Sequence, residues 1–193
     1  MAGRQAKTIT PVQMDTLMQH VRGQKDSARS RVIVLLSFRA GLRSAEIVKL
    51  EWSHVLDATG RVGQTIELED RIAKKKHGRR IPIHPELRHA LVTLQRGQRQ
   101  IHGPVIRSRS SGGAMQPNSL VNWFKSLYLA LDFGGCSSHS GRRTFITQAA
   151  RLTPQAGGSL RDVQLLAGHK SLVTTERYID GDSHAQRKLV HLL

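Results

Sequence analysis

The chain carries one cysteine, Cys136, in 193 residues. A single thiol excludes an intramolecular disulfide and fits a reducing compartment. Without a second cysteine, a thiolate zinc site has no basis. Aromatic residues make up only 4% of the sequence. Nowhere do about 18 apolar residues run together, so no membrane span is expected. The opening stretch Met1-Ala2-Gly3-Arg4-Gln5-Ala6-Lys7 has no apolar core and does not read as a secretory signal. Acidic residues are scarce: 14 Asp and Glu stand against 30 Lys and Arg, a net charge of +16. Paired carboxylates that would hold Mg²⁺ are missing, as are a Gly-x-x-x-x-Gly-Lys-Ser/Thr loop and a His-Glu-x-x-His pair.

The surplus of positive charge is the strongest compositional signal. Such a field concentrates polyanions, and nucleic acid is the usual one, held through its phosphates. Ribosomal and membrane-surface proteins share this property, and charge alone says nothing about catalysis. A phosphoryl-transfer site without metal needs fixed cations, which this chain has in abundance.

The hydrophobic pattern places the elements. Residues 1–9 read as a basic, disordered lead-in. Thr10-Pro11-Val12-Gln13 reads as a helix start, with Thr10 as N-cap, Pro11 in the first turn and Gln13 closing a capping box. Val12, Leu17, Met18 and Val21 supply its apolar stripe, and Gly23 stops it. Helices are expected over 28–40, ended by Gly41, and over 44–50, with Ser44 as N-cap. Residues 64–69 alternate as a strand. Arg71-Ile72-Ala73 and Arg80-Ile81-Pro82-Ile83 flank a lysine-rich turn and predict strand, turn, strand, with Pro82 at an edge or an end. Pro85 opens a helix to about residue 99. Val105-Ile106 is a short apolar piece before a loop over 108–113. A helix over 119–131 carries Trp123, Leu127 and Leu131 at four-residue spacing. After Gly134-Gly135, helices are expected over 140–151, 159–167 (Ser159 and Asp162 as a capping pair) and 173–179. A short tail helix covers 184–192. Helices, a small antiparallel sheet and more helices make an α+β, mostly helical fold in one domain.

Several residues are placed for chemistry on phosphate. Gly41 permits a sharp helix end, and Arg43 then opens the next helix, where its guanidinium can fork onto two phosphate oxygens. Glu46 lies three residues on, on the same face, able to hold that guanidinium. The plain alternative is a surface arginine with a neighbouring carboxylate. Lys74-Lys75-Lys76-His77-Gly78 forms a basic turn that either donates a proton to a leaving oxygen or simply binds backbone phosphate. His139-Ser140-Gly141-Arg142 puts a histidine and an arginine on one side of a helix start, where the dipole favours an anion. His169 follows Gly168 at a helix end, and Tyr178 lies nine residues beyond it. A tyrosine hydroxyl is a poor nucleophile at neutral pH, with a reference pKa of about 10. Beside two arginines and proton-transferring histidines it becomes a plausible attacker on phosphorus. Taken alone, Tyr178 would read as a packing residue, as does Tyr128 in its apolar helix.

The order of these boxes resembles the tyrosine recombinase (phage integrase) family. Ala40-Gly41-Leu42-Arg43-Ser44-Ala45-Glu46-Ile47 looks like its first arginine box. Lys74, eight residues before the Pro82 of Arg80-Ile81-Pro82-Ile83, best matches its hairpin lysine, with Lys75 and Lys76 as neighbouring alternatives. His139-Ser140-Gly141-Arg142-Arg143-Thr144-Phe145 looks like its His-x-x-Arg box. Leu166-Ala167-Gly168-His169 through Thr174-Thr175-Glu176-Arg177-Tyr178 looks like its last box. The resemblance spans about residues 8–182.

It implies a catalytic domain over 10–182 that cleaves and rejoins double-stranded DNA. Tyr178 would attack a phosphodiester, giving a 3′-phosphotyrosyl bond and a free 5′-hydroxyl. Arg43, Arg142 and His169 would stabilise the phosphorane, Lys74 would protonate the leaving oxygen, and His139 would assist proton transfer. Glu46 would support Arg43, while Lys75, Lys76, Arg79, Arg80 and Arg143 would bind DNA. The bond energy is kept, so neither metal nor ATP nor any other cofactor is implied. Implied partners are DNA, a homotetramer on two sites and accessory DNA-bending proteins, in a cytoplasmic, nucleoid-associated setting in bacteria or phage. The chain starts where the family's catalytic domain starts, so the N-terminal core-binding domain is expected to be absent, and 183–193 is a tail. The segment Thr153-Pro154-Gln155-Ala156-Gly157-Gly158 is long for the family, which bears on how His169 and Tyr178 sit relative to Arg142. Two other classes share these residues: a DNA-binding module without chemistry, and a solitary topoisomerase-like nicking-closing enzyme.

Overall fold

The computed structural model of the chain describes residues 5–70, 72, 78–98, 101–178 and 190–191. The first helix, α1 (Pro11–Arg22), starts as its sequence dictates. Thr10 Oγ1 accepts from the Gln13 N–H at 3.2 Å, and Gln13 Oε1 accepts from the Thr10 N–H at 3.0 Å. Leu17, Met18 and Val21 are buried as expected, but Val12 is exposed; the neighbouring helix is α2 (Ser27–Arg39). Every residue of α2 from Val32 to Phe38 is buried. This helix is therefore the centre of the core, packed by α1, by α4 (Pro85–Arg96) and by α6 (Ser140–Leu152). Helix α4 contributes Leu87, Ala90, Leu91 and Leu94. Full burial of a leucine side chain such as Leu87 is worth about 2 kcal/mol.

The short helix α3 (Ser44–Lys49) is capped one residue earlier than expected. Arg43, not Ser44, is the N-cap, because the Glu46 carboxylate rather than a hydroxyl takes the free N–H, that of Arg43, at 2.9 Å. Strands β1 (Thr65–Leu68) and β2 (Arg79–Pro82) pair antiparallel, Thr65 opposite Pro82 and Leu68 opposite Arg79. Of the strand expected at Arg71-Ile72-Ala73 only Ile72 is described; it sits in a turn with its N–H on Glu69 O at 3.0 Å, and the described partner of β2 is β1. Arg71, Ala73, Lys74, Lys75, Lys76 and His77 lie outside the described residues.

Val105 and Ile106 are buried, and the Val105 N–H bonds Leu50 O at 2.8 Å. Helix α5 (Pro117–Ala130) buries Leu120, Phe124, Leu127 and Tyr128. Its buried stripe is thus offset from the expected one, and Trp123 and Leu131 are only partly covered, at the rim of the core. A second, smaller apolar cluster joins α6 to α7 (Leu160–Ala167) through Ile146, Val163 and Ala167, with Tyr178 packed at its edge. Helix α8 (Leu172–Glu176) follows. The tail helix expected over 184–192 falls mostly outside the described residues; Val190 and His191 are helical.

Residues 5–9 do not hang free as a lead-in. Ile9 is buried with its N–H on Thr144 Oγ1 at 2.9 Å, and the Lys7 N–H bonds Gly135 O at 3.1 Å. Among the described residues no helix is long and apolar enough to cross a membrane.

Candidate active site

Two helix ends present the arginines and histidines. Gly41 adopts φ +62°, and a Cβ there would lie 2.4 Å from the Phe145 ring, so only glycine lets α2 turn so tightly into α3 against α6. The same turn aims Arg43 and the Gly41 carbonyl inward. Gly168, also at φ +62°, is the left-handed C-cap of α7 and places His169 beside α6.

Arg142 is the hub. It is 4% exposed, and its Nη1 donates to Gly41 O at 2.6 Å while Nη2 donates to Ala167 O at 2.6 Å. The same Nη2 lies 3.0 Å from His169 Nε2. Burial and then the charge of Arg43 lower its pKa, yet a guanidinium stays protonated at neutral pH. His169 Nδ1 lies 3.0 Å from Thr175 Oγ1, and the His169 carbonyl accepts from Gln164 Nε2 at 2.9 Å. Burial, then Arg142, Arg43 and Arg79, push the His169 pKa down to about 4, so the ring is neutral at pH 7.

Tyr178 is fixed from three sides. Its ring stacks on that of His169 with centroids 5.5 Å apart and planes at 24°. The Arg143 guanidinium lies 5.8 Å from its ring centroid. Thr147 Oγ1 donates to the Tyr178 carbonyl at 3.2 Å. Arg143 also bonds the Gln5 side chain.

Arg43 donates to Glu46 Oε1 at 2.9 Å, the support expected from their spacing. Sequence reasoning missed the second cation on Glu46. Arg79, read as a DNA contact, has a side chain only 6% exposed, with both Nη atoms on the Glu46 carboxylate and Nε donating to Leu166 O at 2.9 Å. The structure places it under the site rather than on its surface. Burial acts to raise the Glu46 pKa, but hydrogen bonds and charge from Arg79 and then Arg43 overcome it and hold the carboxyl down to about 2. Arg80, by contrast, has a side chain 79% exposed and pairs across the sheet with Glu67 at 3.1 Å.

These groups line an open cleft of about 520 Å³ that holds Arg43, His139, Arg142, Arg143, His169, Arg177 and Tyr178. Among the described residues that line it none is acidic, so this lining suits an anion. His139 is exposed at the N-cap of α6 and faces this space. The segment after α6 is absorbed as a turn closed by Gly158 N–H on Thr153 O at 3.0 Å, and it leaves His169 in contact with Arg142. Lys74, Lys75 and Lys76 lie outside the described residues. Thr175, Gln164 and Thr147 carried no signal in the sequence, since a buried hydroxyl or amide looks like any other polar residue on a short helix.

Comparison with known proteins places the chain in context. The family model described as the phage integrase family matches residues 7–184. A tyrosine recombinase XerC of Rickettsia typhi is 27% identical over 172 residues, which is 83% of this chain and 51% of that protein. The XerC of Rickettsia prowazekii is 27% identical over 156 residues, 78% of this chain and 46% of that protein. The chain thus spans about half the length of these relatives. Among solved structures, the Tn1549 transposon integrase in complex with a circular intermediate DNA superposes with a TM-score of 0.76 at 19% identity, over 100% of this chain and 67% of that one. XerH site-specific recombinase, bound to its difH substrate in a pre-cleavage complex, superposes with a TM-score of 0.71 at 15% identity, over 98% of this chain and 55% of that one.

Proposed function

The chain belongs to the phage integrase family, and from that premise we propose that it cleaves and rejoins double-stranded DNA at specific sites, with Tyr178 as the nucleophile. The observation that carries this reading is the line Tyr178, His169, Arg142: ring stacked on ring at 5.5 Å, then imidazole to guanidinium at 3.0 Å, in a cleft with no acidic residue among the described ones that line it.

A phosphodiester in the cleft would take charge-assisted hydrogen bonds from Arg43 and from Arg142, including the N–H that His169 Nε2 holds in the free protein. Two carbonyls anchor the Arg142 guanidinium before substrate arrives, so it stabilises the charge that develops on phosphorus with little reorganisation. His139, exposed at the helix start, takes the Tyr178 proton, and Lys74 returns one to the leaving 5′-oxygen, with Lys75 or Lys76 as alternatives. The product is a 3′-phosphotyrosyl ester and a free 5′-hydroxyl. A 5′-hydroxyl from a partner duplex reverses the step and exchanges strands without metal or ATP. Four protomers on two DNA sites complete the exchange, aided by DNA-bending proteins. Arg80, Arg143, Lys75 and Lys76 hold the DNA backbone.

The test is a suicide duplex, nicked so that the released strand diffuses away, incubated in EDTA and run on denaturing gels. A covalent protein–DNA adduct from wild type and none from Tyr178→Phe supports the reading. An adduct that persists in Tyr178→Phe, or none from wild type on any duplex, overturns it.

A further inference from the structure

Between Arg142 and Thr175 the His169 ring has only one allowed proton position. A guanidinium donates and never accepts. With Arg142 Nη2 at 3.0 Å, His169 Nε2 must therefore present its lone pair, because two N–H groups facing each other would repel. The proton of the neutral ring sits on Nδ1 and points at Thr175 Oγ1, 3.0 Å away. Thr175 is fully buried, so no water replaces that acceptor. Its position on α8, three residues before Tyr178, makes the imidazole plane and the tyrosine stacked on it depend on one hydroxyl.

We propose that Thr175 is a positioning residue that lets His169 exchange tautomers when a phosphate enters the cleft. This deepens the strand-exchange reading and rests on it. In the free protein Nε2 accepts from Arg142 and is no use to a phosphate oxygen. When a phosphate oxygen takes the Arg142 N–H that Nε2 had held, Nε2 is released and must become a donor. Nε2 takes a proton from solvent at the open cleft, and the Nδ1 proton leaves to solvent through the same cleft as the ring swings off Thr175 and back, so one proton enters, one leaves and the ring ends neutral. A hydroxyl suits this exchange because it accepts from Nδ1–H in the first state and donates to the Nδ1 lone pair in the second. A carbonyl or carboxylate there would lock the first tautomer. Among the described residues the charged groups around the ring, Arg142 on α6, Arg43 before α3 and Arg79 on β2, are all cationic. They oppose a charge on the ring, which is why a tautomer exchange is preferred to full protonation.

The experiment uses the whole chain with ¹⁵N-labelled histidine. Long-range proton–nitrogen spectra report which ring nitrogen carries the proton. In the free protein Nδ1 is expected to be protonated in wild type, in Thr175→Ser and in Thr175→Val alike, because Arg142 sets that tautomer, whereas the shift on binding DNA is expected only where a hydroxyl stands at 175. In Tyr178→Phe bound to a nicked duplex that wild type cleaves, the proton is expected on Nε2. Adduct formation is expected to fall about tenfold in Thr175→Val at unchanged DNA retention, and to return to near wild type in Thr175→Ser. A proton on Nε2 in the free protein, a proton remaining on Nδ1 in the complex, or a wild-type rate from Thr175→Val overturns the proposal. If wild type forms no adduct on any duplex, the strand-exchange reading fails, while the free-protein spectrum still decides the tautomer that Arg142 imposes.

Discussion

Both carboxylate oxygens of Glu46 are gripped by the forked guanidinium of Arg79, at 3.1 and 3.0 Å. Arg79 heads the strand that leaves the basic turn, and Glu46 supports Arg43 at the cleft. The pair therefore ties the root of that turn to the first arginine box. Removing Arg79 leaves Glu46 buried with only Arg43 as counter-charge. Arg79→Ala is expected to cost about 3 kcal/mol of stability, measured by urea unfolding. Arg79→Lys should recover only part of it, since an ammonium cannot span both oxygens.

Arg80 should behave in the opposite way. Its side chain is exposed, and its partner Glu67 is exposed too, so Arg80→Ala is expected to leave stability within about 0.5 kcal/mol. If it meets a DNA phosphate, the slope of log affinity against log salt falls in magnitude by about 1. Filter binding over a salt series distinguishes the two neighbours, because Arg79→Lys should leave that slope unchanged.

Stability should fall as pH drops, in two windows. His169 is held near 4, below the ordinary 6.5, so the unfolded chain binds its proton first and stability declines from about pH 6.5 towards 4. Glu46 is held near 2, below the ordinary 4.5, so its contribution is complete above about pH 4.5 and is lost as pH falls towards 2. Thermal unfolding in Glu46→Gln should be flatter in the lower window only.

Gly141 sits where α6 crosses α2, and a Cβ there would lie 2.3 Å from Ser37 Oγ and 2.8 Å from the Phe38 ring. Gly141→Ala is expected to cost about 2 kcal/mol through overpacking, a fall in Tm of roughly 4–8 °C in a chain of this size. Because α6 carries Arg142, adduct formation should drop even where the variant remains folded.

The helices were legible because apolar spacing and caps are local: Thr10 with Gln13 and Ser159 with Asp162 form their predicted pairs. The ordered boxes also placed Arg43, His139, Arg142, His169 and Tyr178 around one cleft. What escaped is what depends on partners far away in sequence. Arg79 looked like a phosphate contact because nothing nearby in the chain announces Glu46 as its partner, 33 residues upstream. The pairing of β2 with β1 also escaped, because an alternating strand pattern does not name its partner and the register is set by hydrogen bonds between Thr65–Leu68 and Arg79–Pro82. Thr175 was silent because its role lies in a single hydroxyl contact.

Arg142 joins segments that lie 101 and 25 residues from it along the chain. Its two carbonyl partners stand together only where α6 is docked on α2 and α7 on α6. Closing loops of that length costs conformational entropy. The candidate site thus doubles as a proofreader of its own tertiary structure. Under the proposed chemistry, a nascent or partly unfolded chain, however basic, has no assembled cation hub with which to act.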